Sequence, residues 1–442
     1  MDKIARKIYD YAMKVNNNGV DSKVSEEIRK RVGDAIIVAY GARDSEPVRI
    51  ERKTLLPSKG PMNSSILFQK EKAPLETASF INGSMVRYLD YNDTYLSLEA
   101  LHPSDNIPPV LAVCESLGLS GKEAIKGITV AYQVVCSLAD AVSIRNRGWD
   151  HVTYVSVSSA AGIAAVAGLK EEKFENTLAL AINNNISMRQ TRAGELSMWK
   201  GCTAANAGRN SLFAYSIANG GFTGPSDIFQ GELGFFKQVS GQFDLDLNKD
   251  RVLKTMIKNY PVEYHAMSAA EKTLDLKPKV NAPIQKISVE TFDVAHRIII
   301  KDPEKLRPKT KETADHSMPF IIAYCLAHGE PTPEAYSEQY LRDRKILDLI
   351  DLMEFTVTDR YNKMYPESLP FGITISTSKG TVQGEMNAPK GHHKNPYSWE
   401  DLSNKGRKVM GPDKAKEIIN LARSLEKLEI SDLMEATYSV TA

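Results

Sequence analysis

The chain is poor in cysteine for its size. Four thiols occur in 442 residues, at Cys114, Cys136, Cys202 and Cys325, with no C-x-x-C pair among them. That spacing signals neither a zinc site nor an iron–sulfur cluster, and scattered free thiols suit a reducing, cytoplasmic setting. Net charge is nearly absent: 56 Lys and Arg against 55 Asp and Glu leave a formal +1. No global field argues for nucleic acid or an anionic membrane, so an anionic ligand must be held by a local cluster. No window approaches a transmembrane span, and no membrane association is expected. Met1-Asp2-Lys3-Ile4 leads into a charged amphipathic helix, which does not read as a signal peptide. No G-x-S-x-G, P-loop or G-x-G-x-x-G fingerprint stands out, so hydrolase, nucleotide and dinucleotide readings lose support. Helical H-x-x-x-H spacing is missing as well, and no metal site is expected.

What is present is long helical periodicity. Residues 4–16 read as a first helix. Ser25 reads as the cap of a second, with Glu26 and Glu27 in its first turn and Ile28, Val32, Ala35, Ile36 and Ala39 as its apolar stripe. Residues 44–75 carry Pro47, Pro57, Gly60, Pro61 and Pro74 and read as irregular connection, with a short strand near 48–50. Ser120 and Glu123 form a capping-box pattern that opens a helix through Val142. The small-residue segment 153–168 predicts a helix at the centre of a bundle, and further helices are expected at 173–187 and 202–218. Alternation then appears at 285–292, 351–358 and on both sides of Ser378-Lys379-Gly380, the last a hairpin signal. Helices are expected among these strands at 312–328 and 333–346. The fold class is therefore mainly α with an α+β second domain: a large all-helical domain over 1–276, a smaller α+β domain over 277–391, and C-terminal helices over 392–442 returning to the first.

One stretch, Asn82 to Asn106, concentrates Arg, Asp, Thr and His. Its first half predicts a helix that buries Met85, Tyr88, Leu89 and Asn92. Arg87, Asp90 and Thr94 share another face. His102-Pro103 reads as a loop, with Ser104 or Asp105 capping a new helix near Pro108-Pro109. A carboxylate, a hydroxyl and an imidazole are thereby brought toward one helix N-terminus, a place that favours anions. The eight histidines divide in two. His102, His151, His265 and His316 lie among polar neighbours, and His296, His328, His392 and His393 look incidental. Lys200, beside Trp199, opens the helix at 202. Asp90, His102, His151, Lys200 and His265, with arginines such as Arg87 and Arg147, form an acid–base and cationic kit. It suits proton abstraction next to a carboxylate on a polyanion. Each also has a bland alternative: a loop histidine can be a hydrogen-bonded fixture, Arg145 and Arg147 a solvated turn, and Asp93 a cap on a backbone amide.

Several blocks together resemble the MmgE/PrpD family. They are Asn82-Gly83, Leu89-Asp90, Asn92-Asp93-Thr94, His102-Pro103-Ser104, Gly148-Trp149-Asp150-His151, Ser197-Met198-Trp199-Lys200, Phe222-Thr223-Gly224-Pro225, Tyr260-Pro261 with His265, Glu312 to Ser317, and Lys390-Gly391-His392 with Asn395-Pro396. The step from Thr94 to His102 and the block Thr313 to Pro319 look most like the family's 2-methylcitrate dehydratase branch. The resemblance implies a helical domain, a smaller α+β lid, a cleft between them and a homodimer. It implies no metal or organic cofactor, and a small tricarboxylate as substrate. The implied reaction is dehydration of 2-methylcitrate, or of citrate. Decarboxylation of cis-aconitate and epimerisation of iminodisuccinate are the family's other chemistries. Family active-site positions fall on Asp90, Thr94, His102, His151, Lys200 and His265. The implied catalytic groups are His102, His151, Asp90 and Lys200, and the substrate-binding groups Thr94, His265, Arg87 and Arg147. Where many members carry a tyrosine after the His-Ser of the lid helix, this chain has Phe320.

Overall fold

A computed structural model describes residues 1–56 and 63–440. The chain divides into two units. One comprises Met1–Arg192, Trp199–Thr255 and Ser398–Ala442, and the other Ala193–Met198 and Met256–Tyr397. Residues 256–276, grouped with the first unit by their helical periodicity, belong to the second.

The first unit is built on helices α1 (Lys3–Asn18), α2 (Ser22–Ala42), α3 (Glu46–Leu55), α4 (Leu75–Tyr88), α5 (Ile107–Ser116), α6 (Gly121–Ala141), α7 (Val152–Val166), α8 (Glu171–Asn183) and α9 (Thr203–Asn219). Helix α2 starts earlier than the Ser25 reading placed it. The Asp21 carboxylate accepts from the amides of Lys23 and Val24, while the Ser25 hydroxyl, inside the helix, donates to Glu426. Helix α3 replaces the irregular stretch and short strand expected near 48–50. Pro47, read there as a breaker, falls in the first turn, where a missing N–H costs nothing. The remainder of that expectation around Pro57, Gly60 and Pro61 lies outside the described residues. Two short strands, β1 (Asn63–Ser65) and β2 (Lys72–Pro74), then pair antiparallel.

Helix α7 is buried along nearly its whole length and packs on α6, α8 and α9. Close approach is possible because glycines face each other. A Cβ at Gly162 would lie 2.7 Å from the Gly127 carbonyl oxygen, so neither position accepts a side chain without parting the helices. The C-terminal helices Trp399–Met410 and Pro412–Ser424 pack on α2. Their polar anchor is buried: Lys405 pairs with Asp34 at 2.6 Å and donates to the Tyr91 carbonyl at 2.8 Å. Residues 221–263 hold only short turns of helix, not the continuous helical structure their periodicity suggested. Among the described residues no helix is long and apolar enough to cross a membrane.

The second unit carries a four-stranded sheet of β5 (Ile284–Thr291), β6 (Met353–Val357), β7 (Phe371–Thr377) and β8 (Gly380–Met386). The spatial order is β6-β5-β7-β8. β5 pairs parallel with β6 and antiparallel with β7, and β7 and β8 form the expected hairpin. Ile287, Val289, Ile373 and Ile375 share the buried face. Helix Met267–Leu276 packs on β7 and β8. The expected helix at 312–328 is broken into Lys311–Ala314 and Met318–Ala327, because Ser317 caps the second piece by accepting from the Phe320 amide.

Candidate active site

Helix α4 ends at Tyr88, so Asp90 and Thr94 do not share a helical face as the spacing suggested. Asp90 instead turns the chain with φ +51°, a left-handed conformation that is uncommon outside glycine and least costly for Asp and Asn. This places its carboxylate between two cations. Oδ2 accepts from Lys200 Nζ at 2.8 Å, and Oδ1 lies 3.1 Å from Arg87 Nη1. All three side chains are almost completely buried. Lys200 reaches this point from the turn Met198–Gly201, just ahead of α9. Gly201 permits the approach, since a Cβ there would meet Tyr88 at 3.0 Å. Removing either cation would leave buried charge without its partner, which is strongly destabilising.

His102 follows strand β4 (Ala100–Leu101), which pairs with β3 (Tyr95–Leu96). Its Nε2 lies 3.9 Å from Asp90 Oδ1, too far for a hydrogen bond. The group that orients the ring is the Asp93 carbonyl, 2.7 Å from Nδ1. A carbonyl only accepts, so Nδ1 carries the hydrogen and Nε2 of the neutral ring keeps its lone pair. The Asp93 side chain holds this carbonyl in place. It accepts from the Ser104 amide and from the Tyr132 hydroxyl, each at 2.8 Å. Burial pushes the Asp93 carboxyl above its usual range, against these hydrogen bonds and Arg31. Thr94 donates to the Leu101 carbonyl at 3.1 Å, which ties the hairpin.

His151 stands at the start of α7, its ring centre 6.0 Å from that of His102. Its Nδ1 lies 3.3 Å from Asp150 Oδ1, and Arg192 Nε donates to Asp150 Oδ2 at 2.7 Å. Burial lowers the His151 ring to about 3, with Asp150 opposing and Arg192, Arg87 and Arg189 reinforcing the shift. The Asp150 carboxyl is held below its ordinary value: burial acts upward, but Arg192 and His151 outweigh it. Asp105 is raised to about 7 by burial despite Arg87. Arg147 is exposed on its turn, its guanidinium beside Gly241.

In the second unit His265 is held at both ring nitrogens. Nδ1 is 2.8 Å from Glu263 Oε1, and Nε2 is 3.2 Å from the Tyr365 hydroxyl. Glu263 falls to about 2: burial opposes the shift, and His265, then His316 and Lys258, drive it. His316 Nδ1 pairs with Asp315 Oδ1 at 2.6 Å, while Lys311 takes Oδ2 at 2.7 Å. Phe320 is buried against the rings of Tyr324 and Tyr336, with centroids at 6.3 and 6.2 Å. It is a packing residue, and Tyr365 sets a phenol hydroxyl against the His265 ring.

The first unit thus brings Arg87, Asp90, His102, His151 and Lys200 into one cluster. Thr94 braces it from within the hairpin. His265 lies in the second unit with Glu263 and Tyr365, and Arg147 is exposed. Residues 6–248 match the MmgE/PrpD N-terminal domain, and residues 260–427 match the MmgE/PrpD C-terminal domain. The chain belongs to the MmgE/PrpD family. Among its relatives, 2-methylcitrate dehydratase of Escherichia coli O157:H7 is 29% identical over 344 residues, 71% of each chain. The mitochondrial 2-methylcitrate dehydratase of Yarrowia lipolytica is 28% identical over 346 residues, 71% of this chain and 66% of the relative, so this chain spans just under two thirds of that protein. Alkylcitrate dehydratase phiI of a fungal species is 26% identical over 365 residues, 73% of this chain and 70% of the relative. Three residues that sequence reasoning gave no role take part in these MmgE/PrpD clusters: Asp150, Arg192 and Tyr365. Asp150 was legible only as a member of a motif block, and Arg192 lay in a loop given no role. Nothing local marked Tyr365.

Proposed function

We propose that this chain is a hydro-lyase that removes water from a citrate-like tricarboxylate, with 2-methylcitrate to 2-methyl-cis-aconitate as its reaction. Family membership and the dehydratase relatives support a citrate-like substrate. The observation that carries the mechanism is the bond from His102 Nδ1 to the Asp93 carbonyl. It puts the ring hydrogen on Nδ1, so Nε2 carries the lone pair, 3.9 Å from the Asp90 carboxylate that pairs with Lys200. In the proposed step Nε2 takes the proton next to a substrate carboxylate, and the electron pair forms the new C=C bond. The C–O bond breaks, and the hydroxyl leaves as water with a proton from Lys200. Arg87, which stays charged throughout, faces the negative charge that develops on the carboxylate. His151, at about 3, is neutral at pH 7 and a poor base. The proposed reaction is cofactor-independent.

The test is direct. Purified protein is mixed with 2-methylcitrate, citrate and cis-aconitate, and the conjugated double bond is followed by ultraviolet absorbance. Absorbance growing on 2-methylcitrate or citrate supports the proposal. Carbon dioxide release from cis-aconitate, with neither hydroxy acid consumed, replaces it with a carboxy-lyase.

A further inference from the structure

Asp150 is shared. Arg192 reaches one of its oxygens through Nε at 2.7 Å, and His151 faces the other through Nδ1 at 3.3 Å. Asp150 Oδ1 also accepts the Val152 amide at 3.0 Å, so the carboxylate is fully engaged. Beyond these contacts each partner ends in a buried nitrogen, Arg192 Nη2 and His151 Nε2. Neither makes a hydrogen bond among the described residues. Native folds leave few such atoms, and an unmet donor on a charged group is among the most costly. Arg87, Arg189 and Arg192 all act on His151, opposed there by Asp150. A planar, charged N–H donor suits a carboxylate oxygen.

We propose that Arg192 Nη2, on the guanidinium that shares Asp150 with His151, is a subsite for one carboxylate of the substrate and gives the site its preference for three carboxylates over two. The inference rests on the tricarboxylate reading above and assigns to Arg192 a binding role separate from the proton transfer at His102. Lys200 and Arg87 would then serve the remaining carboxylates, so a dicarboxylate loses little when Arg192 is changed.

The experiment is calorimetric titration of the full chain with propane-1,2,3-tricarboxylate, which has no hydroxyl to lose, and with succinate. Wild type, Arg192→Gln and Arg192→Lys are compared at fixed ionic strength. The expected result is about 10–100-fold weaker tricarboxylate binding in R192Q, the range for one charge-assisted hydrogen bond. Succinate should change less than about threefold, and R192K should recover part of the loss because it keeps the charge without the fork. Equal weakening of both ligands assigns Arg192 a purely structural role and overturns the proposal. So does unchanged tricarboxylate affinity in R192Q, or a wild type that does not favour the tricarboxylate. R192K carries the same comparison if R192Q fails to fold. Selective loss of tricarboxylate binding in a protein that turns over no hydroxy acid upholds the subsite and rejects the dehydratase.

Discussion

Replacing His151 with asparagine should remove a specific part of the acid sensitivity of the fold. In the native protein the ring is held at about 3 by burial, whereas in the unfolded chain an imidazole titrates near about 6.5. Below that value the unfolded state binds a proton that the folded state refuses, so stability falls as the pH drops. The slope is about 1.4 kcal/mol per pH unit. At pH 5 the wild type has lost about 2 kcal/mol through this residue, and by pH 3 roughly 5 kcal/mol. Asparagine has no such proton. Asp105 and Glu51, both raised to about 7 mainly by burial, work the other way. Their folded forms bind protons first and gain stability as the pH falls from about 7 toward 4. They are present in both proteins and cancel in the difference. Urea unfolding of wild type and H151N at about pH 7.5 and about pH 5 measures it. The wild type should lose about 2 kcal/mol more than the variant over that interval. Equal losses would refute the claim that the ring is kept neutral in the fold.

Other outcomes follow from the same geometry. Lys200→Ala should lower kcat by about 10²–10⁴-fold, the range for a general acid. It should also destabilise the fold by up to about 3–5 kcal/mol, since Asp90 loses one of its two buried partners; steady-state kinetics and urea unfolding read the two effects. Tyr132→Phe deletes the hydroxyl that holds Asp93, and should reduce kcat while leaving KM within about twofold, because Asp93 positions His102 through its carbonyl. Phe320→Tyr places a hydroxyl among packed rings, and should cost about 1–3 kcal/mol without raising turnover.

Helix α6 was legible from its long, regular apolar spacing, and α7 from a run of small and apolar residues that marks a helix buried on all sides. The β7–β8 hairpin was legible from a turn of suitable residues between two alternating strands. Boundaries were less so. Asp21 rather than Ser25 caps α2; both residue types favour the cap position, and type alone does not choose between them. Helix α3 was hidden because a proline at its second residue looks like a breaker unless the start is known. At the site, residue types pointed to Asp90, His102, His151 and Lys200, but not to what each does. The ring of His102 is oriented by a backbone carbonyl, and every residue has one, so no side-chain pattern could mark it. Arg192 and Asp150 meet across 42 positions of chain, a separation that local spacing does not register.

Because one carboxylate at position 150 steers both an imidazole and a guanidinium, the two cannot drift independently over evolutionary time. A substitution there releases both at once, and no single later change restores them. Variation in what the pocket accepts should therefore collect at Arg192 or at neighbours that leave Asp150 untouched, and double-mutant cycles through Asp150 should be far from additive.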